Sequence, residues 1–518
     1  MSLEEIIVAV AASFLLLLLI GGATIVTSSK AEFAGHPKGL FVLFFAEMWE
    51  RFSYYGMRAI LVLYLTRAAD FSDGDALRLY GAYLALLYAL PVLGGALADQ
   101  ALGARRAVYY GAVVLVLGHA ILTLDGAQLG FALPVSPLYL ALALIGIGTG
   151  LLKANISTLV GMLYAKEDPE RDSAFSWFYL GINVGAFTAA LAVGYVGERL
   201  GWHWGFALAG LGMAVGLMVL VLGRRALAGL GDPPAQPTLG PRVQLATAVL
   251  ALPVAYQLLS HPPLMGGTLA LVGCGAVAFA LYFAFRRLPR EARHDTLLML
   301  TLIAFSIIFW FLFEQAGGAL NLFTDRFVDR TLGSGEIPAS QLQSLNAFFI
   351  ILFAPLFARL WPWLARRGWS PGLARQFAMA LVLVGLGFAL LVFAGQGNAS
   401  APLWALVGTY WLHTIGELCL SPVGLAMVTR LAVPQLVGMM MGVWFLAVSA
   451  AGYLSGLFAE TLVSADAGAG MDGFLGGFER LAFLAVGAGL FLGILAQHAF
   501  FKPAPAVEPS LDTGTSAP

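Results

Sequence analysis

Runs of about twenty apolar residues follow one another along this chain almost without pause, and each is long enough to cross the hydrocarbon core of a bilayer as a helix. Fifteen such runs can be marked, at roughly 6–27, 38–67, 76–98, 105–124, 136–162, 172–198, 202–223, 241–260, 265–285, 296–325, 340–365, 371–395, 402–429, 435–463 and 475–501. Composition agrees: of 518 residues 60% are hydrophobic and 11% charged, and mean hydropathy is +0.85. A soluble domain is about 25% charged and could not hide this much apolar surface. Disorder, nucleic-acid binding and a secreted disulfide scaffold are excluded for the chain as a whole. Net charge is −1, so no overall field steers charged partners. The two cysteines, Cys274 and Cys419, lie within apolar runs and are read as packed thiols. The fold class predicted is an all-α polytopic membrane protein.

The first run is not read as a cleaved signal: its leading segment carries Glu4 and Glu5 and no Lys or Arg. It is expected to be a retained helix. Orientation follows from the basic residues. With Lys30 and Lys38 in the cytoplasm and strict alternation, most of the 28 lysines and arginines fall on that side. Only Arg67, Arg78, Arg199, Arg326, Arg330 and Arg480 fall on the other. An odd number of spans then puts the N-terminus outside and the C-terminus in the cytoplasm of an inner (plasma) membrane. Without the first run and the pair at 241–285, twelve spans remain, divided six and six by the basic segment 224–242. This predicts an extra helix at 1–30, a bundle at 38–223, a linker with two helices at 224–295, a second bundle at 296–501 and a disordered tail at 502–518. Such a layout is that of a two-bundle secondary transporter with a central site.

A charge at mid-bilayer costs about 2.5–3.5 kcal/mol on insertion scales, so it must face a cavity or a partner. Glu47, Glu50, Arg51, Arg58, Lys153, Glu314 and Glu417 all lie well inside spans. Helical spacing puts Glu47, Arg51, Tyr54 and Arg58 on one stripe, with Glu50 about 60° to its side. That stripe cannot face lipid. Salt bridges locking helices together are the simpler reading, but seven charges are many to keep for packing.

The stretch Glu47-Met-Trp-Glu50-Arg51-Phe52-Ser-Tyr54-Tyr55 resembles the ExxERFxYY motif on the first helix of the proton-dependent oligopeptide transporter family of the major facilitator superfamily. Phe178-Tyr179-Leu-Gly-Ile-Asn183-Val-Gly185 is similar to that family's FYxxINxG, Trp310 to Glu314 to its WxxxE, and Glu417 to Pro422 to its ExxxSP. Gly94 to Asp99, with Gly103, Arg105 and Arg106, resembles the facilitator loop after helix two. The pair at 241–285 is similar to the two helices that bacterial members insert between bundles; the run at 6–27 departs from the usual pattern.

The resemblance implies a proton-coupled symporter importing di- and tripeptides by alternating access, not an enzyme. A peptide zwitterion needs a cationic pole, an anionic pole and polar groups for its amide. Arg58 and Lys153 would supply the first and Glu417 the second. Asn183 and Asn346 would hold the backbone or amine. Tyr54, Tyr55, Tyr88, Tyr179, Trp310, Phe313, Ser421 and Trp444 would line the pocket. Glu47, Glu50, Arg51 and Glu314 would couple the proton, Glu314 releasing it in the inward step. Gly146, Gly148, Gly150 and Pro422 are candidates for hinges or close contacts. No metal site and no cofactor is expected: the seven histidines are scattered, and no nucleotide-binding or hydrolase motif occurs. The expected partners are peptide, proton and bilayer, with no nucleic acid, and the chain is expected to be a monomer. The alternative is a transporter of nitrate, a drug or another small anion on the same fold, which would keep Arg58 and Lys153 but has less need of Glu417.

Overall fold

The computed structural model describes residues 3–128, 136–165, 167–333, 335–369, 371–433, 435–463 and 470–501. The tail expected at 502–518 lies outside them. The first half of the chain forms α1 (Leu3–Thr27), α2 (Lys38–Arg67), α3 (Asp73–Leu97), α4 (Ala104–Gln128), α5 (Pro137–Met162), α6 (Glu170–Tyr195) and α7 (Trp202–Gly223). Two linker helices follow, α8 (Pro241–Ser260) and α9 (Pro262–Arg287). The second half forms α10 (Arg290–Phe313), α11 (Ala319–Phe327), α12 (Ser344–Arg366), α13 (Leu373–Gly395), α14 (Leu403–Leu431), α15 (Val437–Val463) and α16 (Met471–Leu495). Helices α2–α7 pack as one bundle and α10–α16 as the other. Fourteen of the described segments are apolar and long enough to span a membrane. α2 is not among them because of its charges, yet nearly all of its residues are buried. The most polar span is thus the innermost one.

Lipid-facing and buried spans share one composition, since both must be apolar. Helices α9, α8 and α1 leave most of their surface uncovered by the rest of the chain. This corrects the reading of the cysteines: Cys419 is buried in α14, but Cys274 is exposed on α9. The run expected as one helix at 296–325 is also interrupted. α10 ends at Phe313, Glu314–Gly317 tightens into a single 3₁₀ turn, and Gly318 turns the chain into α11.

The glycines of α5 act as contact points. α5 is a continuous helix, and a Cβ on Gly150 would lie 2.7 Å from that of Leu90 on α3. On α6, a Cβ at Gly185 would fall 2.2 Å from the Met48 carbonyl oxygen and one at Gly181 would meet the Phe44 ring at 2.9 Å, so the two glycines let α6 sit directly on α2.

The two bundles meet at one face. From mid-depth to the turn after Arg67, they are joined by Arg67–Asp325, by Asp73–Arg326 at 2.5 Å and by Arg78–Glu460 at 2.5 Å. Asn321 and Gln343 both donate to the Ala59 carbonyl, and Ser449 donates to that of Ala85 at 2.6 Å. Where α3 crosses α15, a Cβ on Gly456 would lie 2.7 Å from the Gly81 Cα and 2.6 Å from the Leu77 carbonyl oxygen. Among the described residues, no hydrogen bond or ion pair joins the bundles in the half that begins at Lys38. The molecule is therefore closed at the Arg67 face and unlatched at the Lys38 face.

Gly456→Val should strain that crossing by about 1–3 kcal/mol, roughly a five- to hundredfold shift away from closure. Maleimide labelling of a cysteine placed by Ser449→Cys, applied from the Arg67 face, should rise accordingly; unchanged labelling would show that the crossing does not hold the face shut.

Candidate functional site

The charged stripe of α2 turns inward, as its cost in lipid requires. At its lower end Arg51 Nε lies 2.9 Å from Glu47 Oε1 and 2.5 Å from Glu50 Oε2. All three side chains are buried, and the contacts are charge contacts rather than aligned hydrogen bonds. The Arg51 guanidinium also lies 5.6 Å from the centre of the Tyr54 ring. One cation between two carboxylates leaves this cluster a net negative charge. Lys153, half-buried on α5, lies within electrostatic reach of Glu47 and Glu50, but no carboxylate of the described residues comes within 4.0 Å of it. Its ammonium instead sits 4.4 Å from the centre of the Tyr88 ring.

Two turns up α2, Arg58 crosses to the other bundle. Its Nη2 pairs with Glu314 Oε2, and its Nε donates to the Tyr80 hydroxyl at 2.7 Å. Both partners of the ion pair are buried. Tyr88 donates a long hydrogen bond, 3.4 Å, to the other oxygen of Glu314. Tyr88 therefore touches Lys153 with its ring and Glu314 with its hydroxyl. The helix break explains how Glu314 gets there. A Cβ on Gly317 would fall 1.9 Å from the Tyr80 hydroxyl and 3.0 Å from Arg58 Nε, so only glycine lets that turn come so close.

The opposite pole is on α14. Glu417 is half-buried, and its Oε2 accepts from the Asn346 side chain of α12 at 2.9 Å. Asn346 also donates to Thr414 at 3.1 Å. Tyr55 and Tyr179 from the first bundle, and Arg58 and Glu314, lie within electrostatic reach of Glu417. Cationic and anionic groups from the two bundles thus lie within electrostatic reach of one another around the Arg58–Glu314 pair.

The remaining expected residues divide. Trp310 and Phe313 form an aromatic corner with ring centres 5.6 Å apart, and the Trp310 indole N–H and the Tyr54 hydroxyl are buried without a protein partner. Tyr55 stacks edge-on against Tyr54 at 4.9 Å. Asn183 donates to the Tyr179 carbonyl oxygen of its own helix at 2.9 Å, so that donor is already used. Trp444 is buried against Gly424, where a Cβ would meet its ring at 2.2 Å. Ser421 is half-buried one turn beyond Glu417. Tyr80 and Thr414 were not anticipated. A tyrosine within an apolar run gives no sign in sequence that its hydroxyl meets a guanidinium on the neighbouring helix.

Removing one member of a buried ion pair strands the other, at about 3–5 kcal/mol, whereas removing both does not. Arg58→Gln and Glu314→Gln should each lower thermal stability in detergent, and the double variant should recover most of the loss. Additive losses would mean that the two side chains do not pair.

A family model described as the POT family matches residues 105–238 and 269–473. The chain is 38% identical over 456 residues to the peptide transporter YePEPT of Yersinia enterocolitica, covering 82% of this chain and 88% of that one. It is 33% identical over 433 residues to dipeptide and tripeptide permease A of Salmonella typhimurium, covering 82% and 84%. It is also similar to a crystal structure of a peptide transporter POT mutant in complex with alafosfalin (TM-score 0.79, 34% identity, 92% of this chain and 97% of that one). A POT family transporter in complex with 5-aminolevulinic acid gives a TM-score of 0.80 at 29% identity, covering 92% and 99%. Matched motifs, shared architecture and coverage of most of its length agree: the chain belongs to the POT family of membrane transporters.

Proposed function

We propose that this protein is a proton-coupled symporter that imports di- and tripeptides by alternating access. The observation that carries the reading is the convergence of opposite charges from the two bundles. Cations come from one bundle (Arg58, Lys153) and a carboxylate from the other (Glu417), in a molecule whose bundles are joined at the Arg67 face. A peptide presents a carboxylate and an amine at separate ends, and those ends can bridge the two bundles. Arg58 can chelate a carboxylate through two N–H donors, while Lys153 acts as a point charge. Tyr54, Tyr55, Tyr88, Tyr179, Trp310, Phe313 and Trp444 supply shape-tolerant walls, which suits varied side chains. Asn183, Asn346 and Ser421 are assigned to the peptide backbone and amine. The ligand named for one structural neighbour, 5-aminolevulinic acid, also carries an amine and a carboxylate at its two ends.

Coupling follows from an exchange of partners. With Glu314 ionised, Arg58 is engaged and the Arg67 face is held shut. A proton on Glu314 removes that attraction and frees Arg58 for the peptide carboxylate. Peptide and proton then favour one another, and re-pairing of Arg58 with Glu314 after the inward step expels both. Glu47, Glu50 and Arg51 form the second proton-responsive group, beside Lys153. We assign the protein to the inner (plasma) membrane as a monomer, with the Lys38 face and the C-terminus cytoplasmic and the start of α1 outside, because the basic residues crowd the Lys38 face. One proton crossing about 100 mV and half a pH unit yields roughly 3 kcal/mol, enough for accumulation on the order of a hundredfold.

In liposomes with an imposed pH gradient, the protein should concentrate a labelled dipeptide, and unlabelled dipeptides rather than nitrate should compete. Glu314→Gln should abolish gradient-driven uptake and spare counterflow exchange; retained concentrative uptake would refute the assignment. N-acetylation of the dipeptide removes the amine and should weaken competition by roughly ten- to a hundredfold. With Glu417→Gln that penalty should shrink; an undiminished penalty places the amine elsewhere.

A further inference from the structure

The corner between α9 and α10 carries a charge pattern that the central site does not use. Arg286 and Arg287 end α9, Leu288 and Pro289 turn the chain, and Arg290 opens α10. These three arginines are exposed. Among the described residues, no carboxylate pairs with any of them or with Arg293, although the corner also contains Glu291. Arg293 reaches back from α10 across the turn. Its guanidinium lies 5.5 Å from the centre of the Phe285 ring on α9, and its Nη2 is 3.4 Å from the Leu288 carbonyl oxygen. Its Nε is buried with no partner. Four guanidinium groups from two helix ends thus share one short corner, and no carboxylate among the described residues is within ion-pair distance of them.

Directly beside this corner the chain offers the opposite surface. Tyr282 and Phe285 are more than half exposed on the last turns of α9. α9 packs against α15 and α10 of the second bundle, α3 of the first and its neighbour α8, and its Pro262 carbonyl accepts from Tyr453 at 2.9 Å. The flank that carries Tyr282 and Phe285 is free to meet acyl chains. A cationic cluster at headgroup depth next to an uncovered apolar flank matches a molecule with an anionic head and a hydrocarbon tail. A soluble anion would use only the first half of this surface.

We propose that the α9–α10 corner binds an anionic phospholipid, with Arg286, Arg287 and Arg290 on its phosphate and its chain along Tyr282 and Phe285. Guanidinium groups match phosphate oxygens in paired donor geometry, and basic clusters beside membrane helices attract acidic headgroups. Arg293 is a positioning residue, which braces the turn against Phe285.

The full-length protein in nanodiscs of equimolar phosphatidylglycerol and phosphatidylcholine with the same chains should be released for native mass spectrometry. Retained lipid should favour phosphatidylglycerol by about fivefold or more. The combined variant Arg286→Gln, Arg287→Gln, Arg290→Gln should lose most of that preference, whereas Arg366→Gln with Arg367→Gln should keep it. Equal retention of the two lipids by the unmodified protein, or an unchanged preference in the triple variant, would overturn the proposal. Loss of the lipid on adding excess inorganic phosphate would assign the corner to a soluble anion and overturn it too. Because these arginines also bear on topology, a diazirine-bearing phosphatidylglycerol provides a test on the unmodified protein. It should label the peptide 279–287, and labelling only elsewhere would count against the site.

Discussion

A charge inside hydrocarbon must have a partner or a watery chamber, and much of this structure follows from meeting that demand for seven side chains. It makes α2, the most polar span, the most enclosed. It requires α6 to approach α2 closely enough to seal the Glu47–Glu50–Arg51 cluster, which in turn requires Gly185 against the Met48 carbonyl. It also brings Glu314 across from the second bundle to Arg58, and that reach requires a helix broken at Gly317 and Gly318. The charges come first in this ordering, and the glycines follow from them.

The Arg58–Glu314 pair has two consequences that pull in different directions. In a low-dielectric surrounding, the mutual attraction of two buried charges is large, but so is the cost of removing both from water, and their net contribution is small. What the pair does strongly is penalise separation. A bundle movement that parts Arg58 from Glu314 must supply each with a replacement: a proton for the carboxylate and an anion for the guanidinium. The same physics that makes the pair a poor source of stability makes it a good interlock. Tyr80 and Tyr88 sharpen it by holding the guanidinium from one side and the carboxylate from the other.

Much of the fold was legible in the chain. Runs read at 38–67, 202–223 and 241–260 coincide with α2, α7 and α8, because a span ends where water-seeking residues begin, and those are plain in sequence. The stripe on α2 was legible too, since only an inward face can carry it. What escaped depended on a second element. The break after Phe313 follows from Tyr80 and Arg58 occupying the space beside Gly317, and neither lies nearby in the chain. Gly150 could equally have been a hinge or a contact until Leu90 was seen against it. Cys274 and Cys419 have similar apolar neighbours, yet one faces outward and the other inward, because hydropathy does not distinguish lipid from protein interior.

The outer latch differs in kind from the interlock beneath it. Arg78–Glu460 and Asp73–Arg326 are partly exposed on both sides, and such pairs contribute about 0–1 kcal/mol each. The hydrogen bonds to the Ala59 and Ala85 carbonyls are individually of similar size. A transporter needs this economy, since two states that interconvert during turnover can differ by only a few kcal/mol. Many weak contacts set the resting balance at the Arg67 face, and they break without stranding a buried charge. The buried pair does not part freely, so the opening of this face is tied to whether Glu314 carries a proton. Weak closure with one conditional contact at its base is an arrangement in which the energy of a proton can decide the state of the whole molecule.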